Sequence, residues 1–360
     1  MKGKMKSTKG ITLIALVITI VVLLILAGVS LNLVIGQNGL ITKTKEAVKE
    51  YNKAAKLERL QLILTEYQIT EDKDALESNI AKENFEKDEN GNIVIGDSKY
   101  GFDEDYNLVE IPDIKWTIEN NTITWFEILN DIDVSTLIVP NKIKGVSITK
   151  LGISYDTMFE PNTENYNANK ANIKKVILQE GIQEIAEGTF QDTTSIETVI
   201  LPETITAIGE GAFRRSNIKK ITLPNSLEEI NSQVFQDATK LEKVVLGDNV
   251  SYIGYGAFQR TNLNSINFPN KLVTIDGCAF EDTKLSEIKL GNQVTTIGEF
   301  AFKDISTLTK AYIGSGITSI GTSAFGGDKN ISKFVINTSE SSITFGATWK
   351  DPSVTVEYNQ

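Results

Sequence analysis

Ile205-Thr206-Ala207-Ile208-Gly209-Glu210-Gly211-Ala212-Phe213 is the stretch from which the rest of this chain can be read. Aligned on its phenylalanine, seven copies place Phe190, Phe213, Phe235, Phe258, Phe280, Phe302 and Phe325 at successive spacings of 23, 22, 23, 22, 22 and 23 residues. A fixed period of this size marks a repeat architecture. Each copy opens with apolar-x-x-apolar-x-apolar, beginning with Ile173, Val176 and Leu178 and including Leu263, Ile266 and Phe268. An eighth copy starts in register with Ile331, Phe334 and Ile336 and then decays. Period-2 spacing at the end of that opening predicts a short strand, and the Pro202, Pro224 or Gly247 that follows stops it. One copy is too short to enclose a core, so the copies must stack, with equivalent parallel strands side by side at ~4.8 Å and a rod roughly 40 Å long. The residue after the second Ile is Gly209, Gly254, Gly298 or Gly321 in four copies and Asn231 or Asp276 in two. These types best tolerate positive φ, which predicts a left-handed turn there, with Ala186 making the first copy turn differently.

These residues resemble the bacterial BspA-like leucine-rich repeat, whose unit reads L-x-x-I-x-L-P-x-x-V-x-x-I-G-x-x-A-F. The resemblance covers nearly half the chain in register. It implies a right-handed solenoid on an exported surface protein that binds other proteins or host components, without catalysis. The cysteine that follows the Phe in many such repeats is absent here.

Composition bounds the rest. The chain has 360 residues, more than one ordinary domain, and its 41% hydrophobic content suits a folded protein. It contains no histidine, which removes His-based triads, His general bases and most zinc sites. The one cysteine, Cys278, stands where other copies carry Gly211, Gln233, Gly256 or Ser323, so packing is its expected role and no internal disulfide can form. Net charge is -11 but uneven: residues 71–113 hold 14 acids against 4 lysines, and Lys2, Lys4, Lys6 and Lys9 sit together at the start. An acidic chain of this kind does not suit nucleic acid as a partner. No acid, serine or glycine cluster stands out above the repeat, no Gly-rich phosphate motif occurs, and no cofactor or metal is expected.

Residues 1–42 read as a basic leader and a transmembrane segment. Within residues 11–29, fourteen are Ile, Leu or Val and none is charged, enough to span the hydrocarbon. The lysines before the span orient the N-terminus to the cytoplasm and the remainder outside. A cleaved secretory signal is the competing reading, against which stand the long apolar run and the poor A-x-A match at Leu26-Ala27-Gly28-Val29-Ser30. The same segment resembles a prepilin N-terminus, with Lys9-Gly10 before Ile11-Thr12-Leu13-Ile14. That resemblance implies cleavage between Gly10 and Ile11. The family's glutamate at the fifth mature position is replaced by Ala15, which removes the carboxylate implied to pair with a neighbour's amino terminus in a filament.

Residues 43–69 predict an amphipathic helix with no Gly or Pro. Ala47, Val48, Tyr51, Ala54 and Ala55 form a narrow apolar stripe; Leu57, Leu60, Ile63, Leu64 and Tyr67 form a heavier one, rotated by roughly half a turn. The heavier stripe is expected to pack on the domain that follows, the alternative being a coiled-coil stalk. Residues 70–115 predict a small acidic β-rich domain with a hairpin at Asn90-Gly91 and a second strand pair through Tyr100-Gly101-Phe102 and Leu108-Val109-Glu110-Ile111. Asp88-x-Asn90-x-Asn92 superficially matches a calcium loop, but Ile93 occupies the position that needs glycine. Residues 116–172 predict a degenerate capping repeat and loop: a hairpin around Asn120-Asn121, then Leu137-Ile138-Val139-Pro140, Ile148, Leu151-Gly152 and Phe159, then an Asn-rich loop. Repeats fill 173–345, and 346–360, with Trp349 and Val354-Thr355-Val356, predict the C-terminal cap.

The predicted fold class is thus α+β: a transmembrane and amphipathic helix, a small β-rich domain, then a solenoid of 22–23-residue repeats with short parallel strands. The functional expectation is a single-pass bacterial membrane protein whose extracellular solenoid mediates adhesion or binding to an unidentified protein partner. A minor pilin-like or pseudopilin-like subunit, partnered by pilus or secretion-apparatus proteins, is the alternative, and nothing favours an enzyme. Residues between the buried positions of each opening strand must point outward. They predict two contiguous columns. The first includes Lys175, Lys220, Lys243 and Lys310; the second includes Ile177, Ile200, Val245, Tyr312 and Val335 and is apolar at both ends. An apolar stripe flanked by lysines suits an acidic or mixed protein partner. Against this stands a bland reading, in which β-branched residues merely favour strands and lysines keep an open sheet soluble.

Overall fold

The computed structural model describes residues 40–359 apart from 71, 89–91, 96–97, 103–107, 112–113, 130–133, 155–157 and 160–171. The apolar run at 11–29, the processing site at Gly10 and Ile11, and nearly all of the Asn-rich loop lie outside the described residues. Among the described residues, no helix is long and apolar enough to cross a membrane. The chain forms two compact units, Met1–Glu110 and Ile111–Gln360.

In the first unit, helix α1 (Leu40–Thr70) buries its heavier stripe. Leu60 and Leu64 join Leu76, Ile80, Ile93, Ile95 and Tyr100 in one core, with Leu57, Ile63 and Tyr67 packed at its edge. The lighter stripe stays outside, with Val48 and Tyr51 exposed. Residues 70–115, predicted as a small β-rich domain, hold their strands behind an opening helix that was not predicted, α2 (Lys73–Lys82). Asp72 caps it by accepting from the Ala75 N–H at 2.9 Å, and Leu76 and Ile80, one turn apart, supply the buried face. A four-stranded sheet follows in sequence order: Glu86–Lys87, Ile93–Ile95, Ser98–Phe102 and Leu108–Ile111. Both carboxylate oxygens of Asp88 accept from Asn92, at 2.9 and 3.0 Å, so they serve the hairpin.

The second unit begins with an antiparallel hairpin, Ile114–Glu119 with Thr122–Ile128, turned by Asn120 and Asn121 at φ 48 and 65. Such a two-residue turn needs positive φ at both positions. From there copies contribute two short strands each, with one exception. Opening strands Thr136–Val139, Lys175–Leu178, Thr198–Ile200, Lys220–Thr222 and Lys243–Val245 form one parallel sheet. Glu287–Lys289, Lys310–Ile313, Lys333–Ile336 and Glu357–Tyr358 form another. Between the two sheets, the copy carrying Leu263, Ile266 and Phe268 makes a single bridge, Lys243 to Ser265, and no opening strand. Ile266 and Phe268 are only partly buried there. Asn264, Ser265 and Asn267 supply poor strand formers to an exposed surface, and Pro269 removes a donor. The predicted contiguous columns are therefore interrupted at this copy.

The second strand of each copy is only two residues long, too short to show a period in sequence. Glu229–Ile230, Tyr252–Ile253, Thr274–Ile275, Thr296–Ile297, Ser319–Ile320 and Thr344–Phe345 form one continuous parallel sheet. The residue after the buried Ile does not take a left-handed conformation, contrary to prediction. Positive φ occurs instead two residues before the phenylalanine (Gly188, Gly211, Gln233, Gly256, Cys278, Phe300, Ser323) and two after it (Asp192 to Asp304). Glycine after the Ile answers a different need. A β-carbon on Gly254 would lie 2.8 Å from the carbonyl carbon of Asn231, and one on Gly298 would overlap the Gly277 backbone. Successive backbones touch at this point. The column runs Gly152, Ala186, Gly209, Asn231, Gly254, Asp276, Gly298, Gly321, Gly346, and no two residues with a β-carbon are adjacent. Ala186 sits between two glycines and turns like its equivalents, so the first copy is not an exception.

Phe159 and the seven repeat phenylalanines stack face to face along the interior, with neighbouring centroids 4.8 to 5.4 Å apart and planes within 15°. All seven repeat rings are 0% exposed. The stack is closed at one end by Phe126 and Trp116, and at the other by Phe334 and Trp349 set edge-on to Phe325. Val354 is buried in the same core, with Val356 and Tyr358 packed against it.

Candidate functional site

The outward residues of the opening strands are placed by strand pairing. Lys220 faces Lys243 and Thr222 faces Val245 across neighbouring strands, while Lys175 and Ile177 face Thr198 and Ile200. Together with Thr198 and Thr222, the residues Ile200, Lys220, Lys243 and Val245 line a shallow hollow of about 360 Å³. Val245 is 44% exposed, and both lysines project into solvent. The surface thus offers two ammonium groups beside aliphatic and hydroxyl-bearing side chains.

Lys310 and Tyr312 lie on the other sheet, beyond the strandless copy, and do not join this hollow. Their surroundings differ too. Lys310 faces the carboxylate-bearing Glu287 on one side, and the Lys333 ammonium sits 5.6 Å from the Tyr312 ring. Val335, predicted to extend the exposed apolar column, is buried at 6% where Glu357–Tyr358 adds the last strand. The apolar stripe therefore does not reach the C-terminal end. A second, more polar hollow of about 280 Å³ opens at the strandless copy, lined by Asn264, Asn267, Phe268, Glu287 and Lys289 among others. The run Asn264-Ser265-Ile266-Asn267 was its signal in the sequence.

Elsewhere the chemistry is structural. Burial pushes the Cys278 thiol up, away from thiolate reactivity. The Tyr252 hydroxyl, half-buried and donating to Asp276 at 2.7 Å, is pushed up to about 12. Along the turn side, Arg215 pairs with Asp192 at 2.5 Å and Arg260 with Asp237 at 2.5 Å, all four in left-handed positions, and the Arg215 hydrogen bond holds Asp192 below its usual range. Three residues after the phenylalanine, Thr261 and Thr283 are buried and each donates its hydroxyl to the Phe carbonyl of its own copy at 2.9 Å. In the last copy this position is Asp328, 0% exposed. One of its oxygens accepts from the Ile305 N–H at 2.6 Å and the other has no partner. Burial, with Asp304 and Asp351 nearby, pushes its carboxyl up to about 8. Among the described residues, no group of three or more His, Cys, Asp or Glu is placed to hold a metal ion.

The family profile described as BspA type leucine rich repeat region matches the chain in six copies, over residues 163–284 and 237–350. Among solved structures, a leucine-rich repeat protein of T. pallidum is 17% identical over 69% of this chain and 83% of that one, with a TM-score of 0.30. A leucine-rich repeat protein from Bacteroides ovatus is 16% identical over 69% and 80%, with a TM-score of 0.34. A leucine rich cell surface protein from Faecalibacterium prausnitzii is 16% identical over 75% and 95%, with a TM-score of 0.29. No curated protein matches the chain.

Proposed function

The chain belongs to the BspA-type leucine-rich repeat family, and from that premise we propose that it is a membrane-anchored bacterial surface protein whose solenoid binds another protein, or mediates adhesion, through its opening strands. The observation that carries this reading is the hollow lined by Ile200, Lys220, Lys243 and Val245, where exposed Val245, half-buried Ile200 and unopposed positive charge meet on a chain of net charge -11. The partner is a protein with an acidic or mixed surface. Anchoring rests on the lysine-flanked apolar run at 11–29. Replacing Ile177, Ile200 and Val245 by serine and changing Lys220 and Lys243 to glutamate is expected to abolish partner capture while thermal unfolding stays within a few degrees of the parent. Undiminished capture by that folded variant would move the site off this face.

A pilin-like subunit is the second reading, favoured by Lys9-Gly10 before Ile11 and by the burial of Leu60 and Leu64 against a small domain. Ala15 weighs against assembly into filaments. The intact mass of the protein from native membranes separates the two, a chain starting at Ile11 supporting the pilin-like route.

A further inference from the structure

Within the proposed binding face, Lys220 and Lys243 form an unusual pair. They are direct cross-strand partners, an arrangement of like charges that destabilises a sheet. Among the described residues neither ammonium has an acidic partner or an aromatic ring beneath it. Several other cations of the solenoid are paired: Lys219 meets Glu197 at 2.5 Å, Lys289 meets Glu287 at 3.0 Å, and Lys303 meets Asp304 at 2.9 Å. Lys310 and Lys333 are cross-strand partners as well, but Glu287 flanks the first and the Tyr312 ring lies under the second. The repulsion at Lys220 and Lys243 is left for something outside the chain to relieve.

Position supplies the second half of the specification. Val245 lies two residues beyond Lys243 on the same face of one strand, about 7 Å along it, and it stays 44% exposed, with Thr222 beside it and Ile200 one strand further in the same hollow. A small inorganic anion would answer the lysines and leave the aliphatic floor wet. An extended polypeptide also repeats its side chains every second residue on one face, at the same spacing. We propose that this hollow holds an extended segment of the partner bearing a carboxylate between Lys220 and Lys243 and an aliphatic side chain two residues away over Val245 and the methyl of Thr222, toward Ile200. This rests on the reading of the opening-strand face as the binding surface, and it names the chemistry of the partner there.

The test uses the full-length chain and three peptides displayed densely on a biosensor surface: Thr-Thr-Glu-Thr-Val-Thr-Thr, the same with Lys for Glu, and the same with Ser for Val. The first should retain the chain at least tenfold more strongly than either of the others. Lys220→Glu with Lys243→Glu should reverse the preference toward the Lys peptide, and Lys220→Gln with Lys243→Gln should abolish it without reversal. Lys310→Glu with Lys333→Glu should leave it unchanged. Equal retention of the Val and Ser peptides would reduce the site to simple anion attraction and overturn the proposal. So would an unreversed preference in the glutamate variant, or no retention of any peptide by the parent. If those outcomes occur while the five-substitution variant still loses its natural partner, the face remains a binding surface of other chemistry; if capture also survives, the face itself is wrong.

Discussion

In the copy that runs from Leu263 to Phe280, the two sides of the solenoid behave differently. On the turn side, Phe280 lies 5.2 Å from both Phe258 and Phe302, as regular as anywhere in the stack. On the opening side, the strand is gone and two sheets end. The interior cannot tolerate a missing ring, because each phenylalanine fills space that its neighbours cannot reach. The outer face can tolerate a missing strand, since backbone groups at an exposed surface can turn to water. Phe268 offsets part of the loss by setting its ring edge-on to Phe280, at 5.5 Å and 82°. Side-chain stacking is thus the invariant of this fold, and strand pairing is what varies along it.

The largest test breaks the invariant side. Phe258→Ala removes a fully buried ring stacked on both faces and should lower unfolding free energy by about 3 to 5 kcal/mol. Denaturant titration of the full chain reads this directly, and an unchanged midpoint would remove the stack from the core. Comparable in size is the proton at Asp328, on the same side. Its folded carboxyl sits at about 8 against an ordinary 3.8, so the folded state holds a proton that the unfolded state has released. Its contribution is fully present below pH ~4 and is lost as pH rises to about 8, at up to roughly 1.4 kcal/mol per pH unit. Asp328→Thr, which restores the residue that donates to the Phe carbonyl elsewhere, should flatten the decline in melting temperature between pH 5 and 8. A decline of equal slope in both proteins would show that Asp328 is not its source.

The smallest test mends the variable side. Ser265→Val with Asn267→Val supplies β-branched residues to the strandless copy and should add about 1 kcal/mol or less. Slowed amide exchange at residues 264–268 would register the new strand, and exchange as fast as before would show that the break has another cause.

Phe280 and Ser265 also mark how far the sequence could be read. The phenylalanine period, the capping role of Trp349 and the buried stripe of Leu60 and Leu64 were visible because large apolar side chains at fixed spacing leave few alternatives. Helix α2 was hidden by an acidic composition that outweighed its Asp72 cap and its Leu76 and Ile80 pair. The left-handed positions were misplaced because glycine serves two purposes, and only coordinates separate positive φ from close backbone approach. At Gly209 and Gly254 it is the approach; at Gly211 and Gly256 it is φ. For the candidate face, alternation along the strands found Ile200, Lys220, Lys243 and Val245, but it also enlisted Lys310 and Tyr312. Apolar spacing at Leu263, Ile266 and Phe268 concealed a gap in hydrogen bonding that composition alone had signalled.

The alternation in the column from Gly152 to Gly346 bears on how such an array can change length during evolution. Unequal crossing-over adds or removes whole copies, and the register of 22 or 23 residues makes most joins seamless. Loss of the copy holding Gly254, however, would set Asp276 against Asn231 where successive backbones touch, a juxtaposition of two side-chain-bearing residues that the column nowhere contains. Loss of the copy holding Asn231 or Asp276 leaves glycine beside glycine and a sound junction. Recombination is therefore filtered copy by copy, and lineages that shorten this protein should keep the copies holding Gly209 and Gly254 or lose either one only together with a neighbour.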